Sequence, residues 1–260
     1  MLTTNADYLQ KMLAANKGNW PDLEGLLRDI YVAHLNAGDI AVDVGVNHGT
    51  HLFQIAEAVG ETGKVIGVEA VPAHCRSVRE AMAGPYARLA PRIQLFECAV
   101  SAKEGRAEFF VSQINDGGLS GLKFRPVLNN TAVEQIGVDV KTLDSLVPPD
   151  IAVKFMKIDI EGAEYDALRG ATKLLEKRPV VAFEFDNSAP ESFGYTVKDF
   201  FALFAHYNLA VYDLFGFPMR SADDMIATPI WNFIAAPSEM DADALTAPAR
   251  RTIDRDVFRR

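Results

Sequence analysis

A chain of 260 residues, 49% hydrophobic and 23% charged, is long enough for one substantial domain with additions and too apolar to stay unfolded. Its formal charge of −9 argues against broad phosphate or nucleic-acid binding. Cys75 and Cys98 are the only cysteines, which excludes a disulfide framework or a thiolate metal cluster. No apolar run reaches transmembrane length, and the stretch MLTTNADYLQKMLAANKGNW lacks the basic flank and apolar centre of a signal peptide. A soluble, cytoplasmic protein with no membrane partner is the expectation.

Residues 6–15 read as a short first helix. After Trp20-Pro21, the recurrence of Leu23, Leu26, Leu27, Ile30 and Tyr31 predicts a second one that docks a single face. Residues 1–39 are thus a helical extension, serving as a lid or as packing. Ile40, Ala41, Val42 and Val44 form a buried strand that runs into Gly45 and Gly49, and a helix follows from about Thr50 to Val59. A strand, a glycine turn and a helix start suit a bound cofactor, because the backbone can approach closely and the helix offers free N–H groups. The next strand, from Lys64, ends at Glu69, where a nucleotide-binding fold places an acid for ribose hydroxyls.

Pro72 opens a helix to about Met82, and IQLFECAV, residues 93–100, reads as strand three. Residues 101–147 break the alternation. Strands over 106–111 and 137–141, with loops at Asp116-Gly117-Gly118 and Asn129-Asn130-Thr131, predict a β-rich insertion. Its segment 115–124 is a candidate ligand loop. Strand four spans 153–160 and turns sharply at Glu161-Gly162-Ala163-Glu164 into a helix to about Lys177. Strand five, PVVAFEF, closes on Glu184 and Asp186. Thr196 caps a further helix, and strands over 210–214 and 231–235 have aromatic residues expected in the core. The tail from 239 to 260, charged and alanine-rich, is expected to be mobile.

The glycine spacing decides between cofactors. A dinucleotide fingerprint requires G-x-G-x-x-G, but Asn47 stands at its second glycine and Thr50 at its third. D-x-G-x-x-x-G over Asp43–Gly49 instead resembles motif I of class I methyltransferases that use S-adenosylmethionine (SAM). Together with KIDIEGAE (157–164), Val68-Glu69, Ala99-Val100, Thr142-Leu143-Asp144 and Leu168-Arg169-Gly170, it resembles the FkbM family over residues 40–186.

That resemblance implies a Rossmann-like class I α/β fold over residues 40–238: a mostly parallel central sheet with helices on both faces and a β-rich insertion between strands three and four. It also implies methyl transfer to oxygen on sugars, polyketides and related acceptors. Carried over residue by residue, Asp43, Gly45, Asn47 and Gly49 line the methionine side of the cofactor. Glu69 accepts from the ribose, with Ala70 beside it, and Cys98 and Ala99 border adenine. Two positions depart from the family pattern, Val46 where a small residue is usual and His48 where an apolar one is.

In open α/β sheets ligands sit beyond the carboxyl ends of the strands, where Asp159, Glu161, Glu184 and Asp186 converge. Asp159, Glu184 and Glu161 are the candidate catalytic acids, with Asp159 also facing the cofactor. A carboxylate there accepts the proton of a hydroxyl acceptor. Alternatively Asp159, Glu184 and Asp186 hold Mg²⁺ and orient that acceptor. Lys157, inside strand four, pairs with one of these acids or snorkels outward. The expected partner is a small-molecule or glycan acceptor, with no nucleic acid, and homo-oligomers are left open. Two other readings stay open on the sequence: an NAD-linked oxidoreductase, and a non-catalytic binding module that keeps the fold.

Overall fold

A computed structural model of the chain describes residues 5–113, 119–124 and 132–258. Two helices come first, α1 (Asn5–Ala15) and α2 (Leu23–His34). Asp22 caps α2 by accepting from Gly25 N, 3.0 Å, and Leu26, Leu27, Ile30 and Tyr31 all face inward. Each such burial contributes about 1.5–3 kcal/mol before conformational entropy is subtracted, so this helix docks by packing rather than by propensity.

The Rossmann-like core alternates as the sequence predicts: β1 (Ile40–Val44), α3 (Thr50–Ala58), β2 (Lys64–Glu69), α4 (Pro72–Ala83) and β3 (Ile93–Glu97). The predicted third strand is broken at Cys98. There the chain leaves the main sheet, and β4 (Ala99–Val100) pairs with the insertion instead. The insertion contains β5 (Gly105–Ser112) and β6 (Val133–Lys141), which form a three-stranded sheet in the order β4-β6-β5. The loops predicted at 116–118 and 129–131 lie outside the described residues.

After the short α5 (Leu143–Leu146), β7 (Phe155–Ile158) re-enters the main sheet. The single helix predicted to run to Lys177 is two pieces, α6 (Glu164–Arg169) and α7 (Thr172–Glu176). Gly170 breaks them apart, since a Cβ there would lie 2.3 Å from the carbonyl oxygen of Ser101. Asp144 then caps α7 from outside, accepting from Lys173 N at 3.0 Å and Leu174 N at 3.2 Å.

Next come β8 (Val180–Glu184), α8 (Ala189–Phe193), α9 (Val197–His206), β9 (Leu209–Asp213), the two-residue edge strand β10 (Pro218–Met219), α10 (Ala222–Ala227) and β11 (Asn232–Pro237). The main sheet runs β10-β9-β11-β8-β7-β1-β2-β3. Its strands β8, β7, β1, β2 and β3 are parallel, and β11 is antiparallel to both of its neighbours. Among the described residues no helix is long and apolar enough to cross a membrane.

The tail corrects an expectation. Residues 242–253 form α11 (Ala242–Ile253), capped by Asp241 and packed against α2 through the apolar series Leu245, Ala249 and Ile253. Thr252 Oγ1 donates to Asp29 of α2 at 2.6 Å, and Arg250 donates to the carbonyl of Phe215 at 2.9 Å. The four-residue apolar spacing outweighs the charge and Pro248, and the segment is part of the core.

Candidate active site

The carboxyl ends of β1, β2, β7 and β8 open onto one cavity of about 290 Å³. Gly45 ends β1 with φ +83°, and its backbone passes so close to the turn after β7 that a Cβ would lie 1.8 Å from the carbonyl oxygen of Asp159. Only glycine satisfies both constraints. Asn47 follows in the left-handed region, φ 51°, and its buried Oδ1 has no partner in the structure. Glu69, at the end of β2, accepts from Asn47 N through Oε2 and from Val71 N through Oε1, both at 2.7 Å. His74 Nδ1 stands 3.5 Å from the same carboxylate. Two backbone donors fix this acid and leave lone pairs open to the cavity.

Beside Glu69 the wall is apolar, built by Val68, Val71, Cys98, Ala99, Phe109 and Leu122. The last two belong to the insertion, so the small sheet roofs this half. Ser120 Oγ, accepting from Ser112 N at 2.9 Å, holds the covering segment in place.

The opposite half is acidic. Lys157 is 3% exposed and its Nζ reaches Asp159 Oδ2 at 2.8 Å. Burial pushes the Asp159 carboxyl up, but the Lys157 ammonium together with the hydrogen bond from Glu184 outweighs it and holds Asp159 well below the usual carboxylate range. Glu184 shifts the other way. Burial, then the charge of Asp159 and a hydrogen bond with it, raise its pKa well above the usual carboxylate range, which favours the protonated acid beside Asp159. Asp159, Glu161 and Glu184 each bring one oxygen within 4.8 Å of the others.

The turn after β7 that presents Asp159 and Glu161 is held from below. Glu164, 1% exposed, folds back to accept from Ile160 N at 2.8 Å and Gly162 N at 3.2 Å, across a Glu161 at φ 60°.

The structure sorts the sequence candidates. Gly45, Asn47, Glu69, Ala70, Cys98, Ala99, Asp159, Glu161 and Glu184 line the cavity, whereas Asp43 and Gly49 do not. Asp43 lies beneath the loop at 1% exposure, in register with Lys157, with both oxygens unpartnered and a pKa raised by burial to about 6. Gly49 precedes α3 with φ +89°, where a Cβ would strike the ring of Phe53. Asp186 stays apart from the acid trio. Its oxygens accept from Ser188 N at 2.8 Å and Ser188 Oγ at 2.7 Å, a turn role, and the geometric trio contains Glu161 in its place.

Glu24 and Trp231 were not among the sequence candidates. Glu24 reaches the cavity from α2 and accepts from His51 Nε2 at 2.8 Å and Asn232 Nδ2 at 3.2 Å. Trp231, expected in the core, is 39% exposed on the rim. A lone acid on an amphipathic helix carries no sequence signal that separates a site from solvent.

Besides Glu184, three buried carboxyls away from the acid trio have raised pKa values: Glu164 and Asp213 at about 7, both chiefly through burial, and Asp43 at about 6. The native state therefore keeps protons that the unfolded chain releases near its ordinary carboxylate values. The stability they confer is complete below those values and is lost as pH rises through 6–7, at up to about 1.4 kcal/mol per pH unit for each group while it alone differs. Urea unfolding at pH 5 and pH 8 is expected to show the larger free energy at pH 5. Glu164→Gln, which keeps an acceptor, should flatten part of the slope. Stability that is level or rising over this interval contradicts the assignment.

The pattern of the methyltransferase FkbM domain matches residues 43–213. No curated protein matches the sequence. Among solved structures the chain is similar to methyltransferase FkbM from Methylobacillus flagellatus KT, at 17% identity and TM-score 0.49 over 77% of this chain and 44% of that one. It is also similar to the O-methyltransferase from Bacillus cereus in complex with S-adenosylhomocysteine (SAH), at 14% identity and TM-score 0.45 over 89% and 88% of the two chains. A third is the O-methyltransferase TomG from Streptomyces achromogenes in complex with SAM, at 14% identity and TM-score 0.47 over 91% and 92%. The alignment with the Methylobacillus protein thus spans less than half of that protein's length.

Proposed function

This chain belongs to the FkbM family of SAM-dependent methyltransferases, and from that premise we propose that it methylates a hydroxyl oxygen of a small hydroxylated or sugar-containing acceptor. The observation that carries this reading is Asp159, ion-paired at 2.8 Å to a buried Lys157 and lining the cavity in one cluster with Glu161 and Glu184. The cavity also fits the cofactor. Asn47 Oδ1 has a buried, unused acceptor, Glu69 has lone pairs left for two hydroxyls, and the apolar half suits a purine.

When bound, SAM supplies an electrophilic methyl on a sulfonium, so an alcohol attacks without prior deprotonation. The protein's share is alignment and removal of the proton. As the new C–O bond forms, the hydroxyl oxygen turns strongly acidic, and even a carboxylate of lowered basicity can take its proton. Asp159 takes this role in the proposal. Lys157 keeps it ionised beforehand, and the Glu184 proton holds it in one orientation.

Mg²⁺ is the finer part of the proposal. Asp159, Glu161 and Glu184 provide the hard oxygen donors it prefers, and binding there would release the Glu184 proton.

Calorimetric titration with SAH, with NADH as the comparison ligand, tests the cofactor class. Micromolar binding of SAH and none of NADH is the expected result. Glu69→Ala removes the anchor of the Asn47 and Val71 amides as well as the acceptor itself, so SAH should bind at least about tenfold more weakly. Unchanged affinity in Glu69→Ala would remove Glu69 from the cofactor site. A folded protein that binds SAH but transfers methyl to no hydroxylated acceptor would favour a non-catalytic role.

A further inference from the structure

Building on the methyltransferase reading, we infer that the acceptor carries an amine as well as the hydroxyl, and that Glu24 and Trp231 hold its ammonium. The cavity is asymmetric. On this reading the apolar half and Glu69 take the purine and ribose of the cofactor and Gly45 and Asn47 its methionine end, and the acceptor meets the half bounded by Glu24, Asp159, Glu161, Glu184 and Trp231. Among the described residues no lysine or arginine lines the cavity; Lys157 lies beneath it, spent on Asp159. In the metal-free site a phosphate, carboxylate or sulfate brought to this half would meet several carboxyl groups and no lysine or arginine. A cation would be stabilised there.

Two features sit apart from the acid trio and point the same way. Trp231 presents 39% of its surface at the rim, and an indole face is the best aromatic partner for an ammonium group. Glu24 has 47% of its side chain exposed, and Asn232, the neighbour of Trp231, donates to it at 3.2 Å, which ties the acid to the Trp231 segment. Asn232 and His51 use one oxygen each, and the remaining lone pairs are available to a ligand. The pKa of Glu24 is lowered, because its hydrogen bond with His51 and the charge of Lys157 outweigh burial, so it is an anion at neutral pH.

Both residues lie outside the family-matched segment 43–213, one on α2 and one before β11. The family core therefore provides cofactor and base, while the flanking elements of this chain provide acceptor selectivity. The same anchoring fixes which atom reacts. An ammonium held between a carboxylate and an indole keeps its proton and has no lone pair, so it is not a nucleophile. The hydroxyl oxygen attacks the methyl carbon, the C–S electron pair leaves with sulfur, and the hydroxyl proton passes to Asp159.

The test uses the full-length protein and three matched acceptor sets: amino sugars and other hydroxylated amines, the corresponding neutral polyols, and the corresponding acids. SAH formation from SAM is measured for each, and binding of the same compounds to the SAH-loaded protein is followed by Trp fluorescence and calorimetry. Transfer confined to the amine set is expected. Glu24→Gln and Trp231→Ala should each weaken amine binding about tenfold, corresponding to roughly 1.4 kcal/mol, with SAH affinity unchanged. Transfer to neutral or acidic acceptors at equal or better efficiency, no transfer to any amine, or amine binding unmoved by Glu24→Gln overturns the inference. Failure of wild-type protein to bind SAH would overturn the methyltransferase reading instead, so the two failures are told apart by cofactor binding alone.

Discussion

Asp159→Ala is expected to cost the protein both its activity and several kcal/mol of stability. The substitution removes the proton acceptor, which in comparable roles is worth about 10²–10⁴-fold in rate. It also strands Lys157, whose side chain is 4% exposed and whose ammonium has Asp159 as its hydrogen-bonded partner. Breaking a buried pair from one side typically costs about 3–5 kcal/mol, because the remaining charge keeps its desolvation penalty. Asp43, in register with Lys157 across β1 and β7, compensates only in part, since burial raises its own pKa to about 6. The double variant Lys157→Met/Asp159→Ala removes both charges and should regain most of the lost stability without regaining turnover. Urea unfolding of the three proteins, with SAH formation measured in parallel, separates the two contributions. An Asp159→Ala protein as stable as the parent would mean that Lys157 is solvated, and retained turnover would take Asp159 out of the chemistry.

The fold was legible because its signals are periodic and local. Apolar runs of strand length, each followed by a turn and a helical stripe, specify β1–α3–β2–α4, and β7 and β8 stand out in the same way. The convergence of Asp159, Glu161 and Glu184 followed from topology alone, since parallel strands of one sheet deliver their carboxyl ends to one edge. Contacts between distant segments were not legible. Asp144 caps α7 from across the chain, and Gly170 is fixed by a carbonyl at Ser101. Those two residues sit in the blocks that identify the family, yet their roles are architectural. Asp43 resembles a cofactor ligand in the motif but lies under the loop, where it faces the charge of Lys157. Glu24 was invisible for the opposite reason: its place in the cavity wall depends on the burial of Tyr31 and its neighbours, which docks α2. The C-terminal helix shows composition misleading where spacing informs, since Leu245, Ala249 and Ile253 already lie on one face.

Gly45→Ala is the second large effect, and it addresses backbone geometry rather than charge. Gly45 stands where β1 hands over to the cofactor loop, and its N–H donates to Val68 of β2 at 2.9 Å. On its other side the Asp159 carbonyl of the β7 turn occupies the place a Cβ would take, at 1.8 Å. An alanine must therefore shift one of two backbones, each held by strand pairing, and must also adopt φ +83°. The left-handed conformation alone costs about 1–2 kcal/mol, and relieving the collision adds to it, for an expected loss of about 3 kcal/mol or more. The movement falls on the groups that form the site: Asn47 two residues on, and Asp159 itself. SAH affinity should fall by about 100-fold, which is about 2.7 kcal/mol on the same scale. Gly105→Ala is the control, because a Cβ there meets nothing within 4 Å, and it should leave both stability and SAH affinity close to the parent values. If Gly45→Ala folds with parental stability and binds SAH within about threefold of the parent, the β1 and β7 turns are not in the contact described, and Asp159 loses its placement against the cofactor loop.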